Sequence, residues 1–113
     1  MHTVVFATQR IPGMTHEQFA DHYRDIHAPL ARRLPGLLSY TQSAVRQDIT
    51  WTRTPADHSG YDAISVYVFA DDAAADLAWA SPEGLAVNDD TATFMRSETI
   101  LGYVTTDPIE VVR

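Results

Sequence analysis

The first and last strand-like runs of this sequence are apolar on both alternating faces. Val4 and Phe6 face away from Val5 and Ala7, and Ile100 and Val104 face away from Leu101 and Tyr103. A half-solvated sheet alternates cleanly between apolar and polar, and these runs do not. The strand-like runs are Thr3–Thr8, Leu37–Val45, Ala63–Phe69 and Thr99–Thr105, with helical blocks after the first and the third. That order, β-α-β-β-α-β, is the split-βαβ or ferredoxin-like arrangement, an α+β fold with an antiparallel four-stranded sheet. Two helical blocks cover one face of such a sheet, so the other face needs a partner. The simplest partner is the same face of a second copy, which predicts a homodimer packed sheet against sheet. The alternative is a tail folding over the open face, but Thr106-Asp107-Pro108 is polar.

The first helical block has a well-specified start. Thr15 with Gln18 makes a capping box, and Met14 with Phe19 a hydrophobic staple. The helix is predicted from His16 to about Leu34, ending before Pro35-Gly36, with Pro29 loosening its middle. The second block opens at Asp71 or Asp72 and runs to about Ala80. Ser81-Pro82 restarts it, and a further helical piece is predicted over about Asp90–Met95. Residues 46–61 form a long connection of the kind that tends to be functional or mobile, a candidate lid. At 113 residues the chain is read as one domain, 1–113, with no repeat or linker.

Composition removes whole classes of chemistry. There is no Cys, hence no disulfide, thiolate metal site or cysteine nucleophile. All 8 basic residues are Arg, which excludes a lysine Schiff base. A net charge of −7 argues against nucleic acid. No apolar run is long enough to span a membrane, and the N-terminus does not read as a signal peptide, so a soluble cytoplasmic protein is expected. The sequence has no glycine-rich phosphate loop, nucleophile elbow or metal-ligand spacing, so neither a cofactor nor a metal is expected.

On a wheel of about 100° per residue, Phe19, Tyr23, Ile26, Leu30 and Leu34 share one stripe of the first helix. His27 lies at its edge; His22 sits at the far border, about 140° away, and is expected to be wet. A half-buried imidazole stays neutral near pH 7 and can serve as general base and then acid, with Tyr23 one turn earlier to orient it. The same placement also suits a histidine that merely packs. Tyr67 and Ser65 share the less apolar parity of the third strand with Ala63, which suggests a cavity with a few polar groups. Tyr67 is a candidate oxyanion stabiliser or a packed ring; Tyr40 and Tyr103 carry the same two readings. Trp51 and His58 in the long connection are candidate lid residues over an aromatic ligand, or plain surface groups. Asp71-Asp72 and Asp89-Asp90 read as helix-start acids rather than a cation site.

Met14-Thr15-His16-Glu17-Gln18-Phe19, Tyr23, His27-Ala28-Pro29-Leu30, Leu34-Pro35-Gly36 and Tyr40 together resemble the EthD family of the dimeric α/β-barrel superfamily. Asp62-Ala63-Ile64 and Ser81-Pro82-Glu83 are similar to it as well. The resemblance implies a dimer of ferredoxin-like protomers, each with a cavity between helices and sheet that the His27 position lines. It also implies cofactor-independent chemistry of the decarboxylase, dehydratase, lactone isomerase or polyketide cyclase kind on a small hydrophobic or aromatic substrate. Members that employ cysteine are no guide to a chain that lacks it. Two other readings stay open: a cofactor-free monooxygenase, and a non-catalytic binding protein for a hydrophobic metabolite. Haem enters by fold analogy alone.

Overall fold

A computed structural model describes residues 1–49, 55–56 and 60–112. Trp51 and His58 lie outside the described residues. The main sheet contains β1 (His2–Thr8), β2 (Leu37–Ala44), β5 (Ala63–Phe69) and β6 (Leu101–Thr105), in the order β2-β5-β1-β6 with every neighbouring pair antiparallel. β1 and β2 therefore run parallel with β5 between them, the split-βαβ topology expected from the element order. The 46–61 connection contains a small ladder of β3 (Asp48–Ile49) and β4 (Pro55–Ala56). No helix among the described residues is long and apolar enough to cross a membrane.

The first helical block is α1 (His16–His22), a π-turn (Tyr23–His27) and α2 (Ala28–Ala31). Its capping box forms as the sequence predicts: Gln18 N–H donates to Thr15 Oγ1 at 3.1 Å, and Thr15 N–H to Gln18 Oε1 at 2.9 Å. Met14 packs against the cluster around Phe19, completing the staple. Pro29 has no N–H to give the carbonyl four residues back. The loosening just before it takes the form of the π-turn, in which Ala28 N–H reaches back to Tyr23 O. The block stops at Ala31, short of the expected Leu34, and Leu34 packs into the core from the turn that follows.

α3 (Asp72–Ala80) starts on Asp71, whose Oδ1 accepts from Ala74 N–H at 2.8 Å. α4 (Pro82–Phe94) is one continuous helix, not the two pieces expected on either side of Asp89-Asp90. Ser81 joins α3 to α4, its hydroxyl donating to Ala78 O at 2.6 Å and accepting from Gly84 N–H at 3.1 Å. Such a cap contributes about 1 kcal/mol. A Cβ on Gly84 would stand 2.5 Å from the carbonyl oxygens of Ala78 and Trp79, so only glycine lets the two helices meet this closely.

All helices lie on one face of the sheet. Two apolar clusters fill that layer, one around Phe69, Tyr67, Leu34 and Val87, the other around Phe19, Tyr23, Phe94 and Met95. On the opposite face, strand register brings Val5 beside Val66 and Tyr103, and Ala7 beside Ile64 and Leu101. No helix covers them, and Tyr103 is 61% exposed.

Candidate active site

A cavity of about 270 Å3 opens where the two core clusters part. β1 contributes Phe6 and Thr8, β5 contributes Ser65 and Tyr67, and α4 contributes Val87, Asn88 and Thr91. Trp79, Met95 and Ile100 close its sides, and His27 stands in its wall. On β6, Gly102 makes room for the first of these residues. A Cβ there would fall 2.9 Å from the Phe6 ring.

His27 is 3% exposed. Its ring is stacked near Tyr23 (centroids 6.0 Å apart, 22° between planes) and tilted against Phe94 at 5.1 Å. Its Nδ1–H donates to Asp90 Oδ2 at 2.8 Å. That bond fixes the tautomer and leaves Nε2, the basic nitrogen, for the cavity. Burial holds the imidazole below its ordinary ionisation range; the hydrogen bond and charge of Asp90 oppose that, and His22 adds to it. The ring is neutral at pH 7 and carries a free lone pair in a largely apolar hollow.

His22 also belongs to this cluster. Its Nε2–H donates to the same carboxylate, at 2.9 Å to Oδ1 and 3.1 Å to Oδ2. The wheel separates His22 from His27 because it assumes α-geometry throughout. In a π-turn, residues five apart stand one above the other, so the Tyr23–His27 segment brings both histidines to Asp90. For the same reason Ile26, placed in the buried stripe by the wheel, is 50% exposed. The sequence reading also missed Asp90, taken for a helix-start acid. It sits mid-helix, 11% exposed at its side chain, and serves both histidines. The signal was present, since Val87, Asp90, Thr91 and Phe94 stand at i, i+3, i+4 and i+7 once α4 is read as one helix.

The remaining predicted residues divide. Tyr67 and Ser65 line the cavity together with His27. Tyr23 does not line it; its ring backs the imidazole, and its buried hydroxyl lies near Ser65 and Tyr40 without a well-formed hydrogen bond. Tyr40 stacks on the outer side of Tyr67 (4.4 Å, 22°) and accepts from Gln42 Nε2 at 2.6 Å. Burial pushes the pKa of all three tyrosine hydroxyls up, so they remain neutral. Tyr103 is on the opposite face of the sheet, away from this group. Thr8 was not singled out from sequence. Its hydroxyl is fully buried behind the cavity wall and has no partner among the described residues. No cluster of metal-ligating side chains occurs among the described residues.

The antiparallel β2-β5-β1-β6 sheet with helices on one face defines a ferredoxin-like α+β protein. The chain belongs to the EthD domain family, which matches residues 11–98. Among solved structures it is similar to an ethyl tert-butyl ether d (EthD) family protein from Bacillus halodurans C-125, at 20% identity and TM-score 0.74, covering 96% of this chain and 100% of that one. It is also similar to At3g17210 from Arabidopsis thaliana, at 15% identity and TM-score 0.70 over the whole of both chains. A third likeness is to a dimeric ferredoxin-like protein of unknown function from Jannaschia sp. CCS1, at 18% identity and TM-score 0.66, covering 93% of this chain and 97% of that one. No curated protein matches this chain.

Proposed function

We propose that this protein is a cofactor-independent enzyme that moves a proton next to a carbonyl in an aromatic, polyketide-like or lactone substrate. Cyclisation, isomerisation, dehydration and decarboxylation all share that need. One observation carries the reading: a buried neutral imidazole whose Nδ1–H is held by Asp90 while Nε2 is left to the cavity. His27 Nε2 takes the proton from the carbon beside the carbonyl, or from a hydroxyl of the substrate. Asp90 stabilises the imidazolium that forms, and His27 returns the proton to the product. Tyr67 and Ser65 are the donors in reach of the cavity for a developing enolate oxygen. Tyr23 is a positioning residue, its ring holding the imidazole in plane.

The aromatic wall of Phe6, Tyr67 and Trp79 supports a flat, apolar substrate. The same wall suits a second reading, a carrier that shelters such a molecule unchanged. A cofactor-free monooxygenase would share the first deprotonation and then consume oxygen. We read the working unit as a homodimer joined through the uncovered sheet face. Its support is the apolar row of Val5, Ile64, Val66, Leu101 and Tyr103, together with the dimeric ferredoxin-like relative.

The test uses aryl β-keto esters, aryl β-hydroxy ketones and unsaturated lactones as probes in deuterated buffer, with oxygen uptake followed in parallel. Deuterium incorporation beside the carbonyl, or loss of water or carbon dioxide, supports the enzyme, provided His27→Gln removes it. Tight binding with every probe recovered unlabelled supports the carrier instead.

A further inference from the structure

A second hollow of about 280 Å3, polar where the His27 cavity is apolar, lies beyond the end of β1. There the chain after β1 runs beside the end of α4. Ile11 N–H donates to Phe94 O at 3.0 Å, Arg96 N–H donates to Gln9 O at 2.8 Å, and Arg10 bridges Met95. These bonds fix the backbone at Arg10 and Arg96, which both line the hollow along with Gln9, Gly13, Gly60 and Asp62.

The two guanidinium groups differ in what they face. Arg10 is already matched: Asp62, 1% exposed, accepts from its backbone N–H at 2.8 Å and from its Nη1 at 2.7 Å. His16 Nδ1 stands 2.7 Å from the same carboxylate. Arg96 is half-buried and makes no ion pair among the described residues. Its Nε–H is fully buried and without a hydrogen-bond partner among them. A buried donor on a permanent cation is costly when it has no acceptor. The edge formed by Nε–H and an Nη–H is the fork that receives two oxygens of a carboxylate or phosphate.

We infer that this hollow is an oxyanion-binding site in which the Arg96 guanidinium holds a small carboxylate or phosphate. Arg10, held by Asp62, forms the opposite wall. The site does not depend on the role given to His27. It does adjoin the cavity: Thr8 and Met95 line the cavity, and their chain neighbours Gln9 and Arg96 line the hollow.

The experiment titrates the 15N-labelled full chain with sodium acetate and, separately, sodium phosphate at constant ionic strength in chloride. The arginine side-chain Nε–H signals are followed. A saturable shift of Arg96 alone among the arginines, absent with chloride alone, is the expected result, with the backbone amides of Gln9 and Gly13 reporting the same titration in the variants, and the tighter of the two anions identifies the ligand class. Arg96→Gln is expected to weaken that anion by at least about tenfold, the scale of a charged hydrogen bond. Arg96→Lys should fall between them, because the ammonium keeps the charge and loses the fork. No saturable shift of Arg96 with either anion overturns the inference, as does unchanged affinity in Arg96→Gln. If Arg96→Gln does not fold, the wild-type titration decides, since it reads the arginine itself.

Discussion

Each face of the sheet carries a group of residues that its surroundings do not favour. The face under the helices, shut away from water, carries Thr8, Ser65 and Tyr67, while the face without helices carries Val5, Ile64, Val66 and Val68. Burying hydroxyls costs free energy unless something engages them, so a covered face that keeps them is built around a ligand. Exposing a row of branched aliphatics is equally unfavourable unless it is covered by another chain. The polar residues thus point to chemistry inside the protomer, and the apolar ones to a contact outside it. Each conclusion can be broken separately.

The largest effect is expected on the open face. Val66→Asp places a carboxylate in the middle of the apolar row, and twice over in a symmetric dimer. Its dissociation constant should rise by about 10³-fold or more, as uncompensated buried charge demands. Analytical ultracentrifugation reads this directly, and a wild-type chain sedimenting as a monomer at micromolar concentration would remove the dimer altogether.

On the covered face, His27→Gln should lower turnover by about 10²-fold or more, the scale of general acid–base help, with folding retained. A large fall in Tm with exchange or turnover intact would make His27 a packing residue. Asp90→Asn comes next. It leaves His27 in place but removes the charge that favours the imidazolium, and about a tenfold loss is expected. The loss should be in kcat more than in KM, because Asp90 acts through His27.

The smallest effect is on stability. His27 is held below its unfolded ionisation range of about 6.5. As pH falls through that value the unfolded chain takes up a proton that the folded chain refuses. Its contribution is therefore full above the unfolded pKa and declines as pH drops towards the folded one. Denaturant titrations of wild type and His27→Gln should converge at the acid end of that window and separate above it. Parallel curves throughout would mean that His27 titrates as it does in an open chain.

The strands, their order and the helix starts were legible because each rests on local chemistry: the Thr15–Gln18 box, Asp71 and Ser81 as caps, and alternation across Ala63–Phe69. Ser65, Tyr67 and His27 were found the same way, since parity and helical period state which side faces inward. Asp90 and His22 were not, for two physical reasons. The π-turn changes the angular spacing that places His22, and nothing in a single sequence declares it beyond the proline that follows. Asp89-Asp90 resembles a helix start, so α4 looked like two pieces and the inward stripe through Asp90 was cut. Thr8 and Arg96 became notable only through unpartnered buried donors, which depend on three-dimensional neighbours.

The central claim is that His27 presents a bare Nε2 to the cavity while Asp90 holds its Nδ1–H. A 15N NMR titration of the histidine rings tests this without any substrate. The expected spectrum shows the Nδ1–H tautomer for His27 at pH 7 and protonation of Nε2 only at a pH below the ordinary imidazole range. A His27 ring in the Nε2–H tautomer, or one that titrates as in an open chain, would contradict the account.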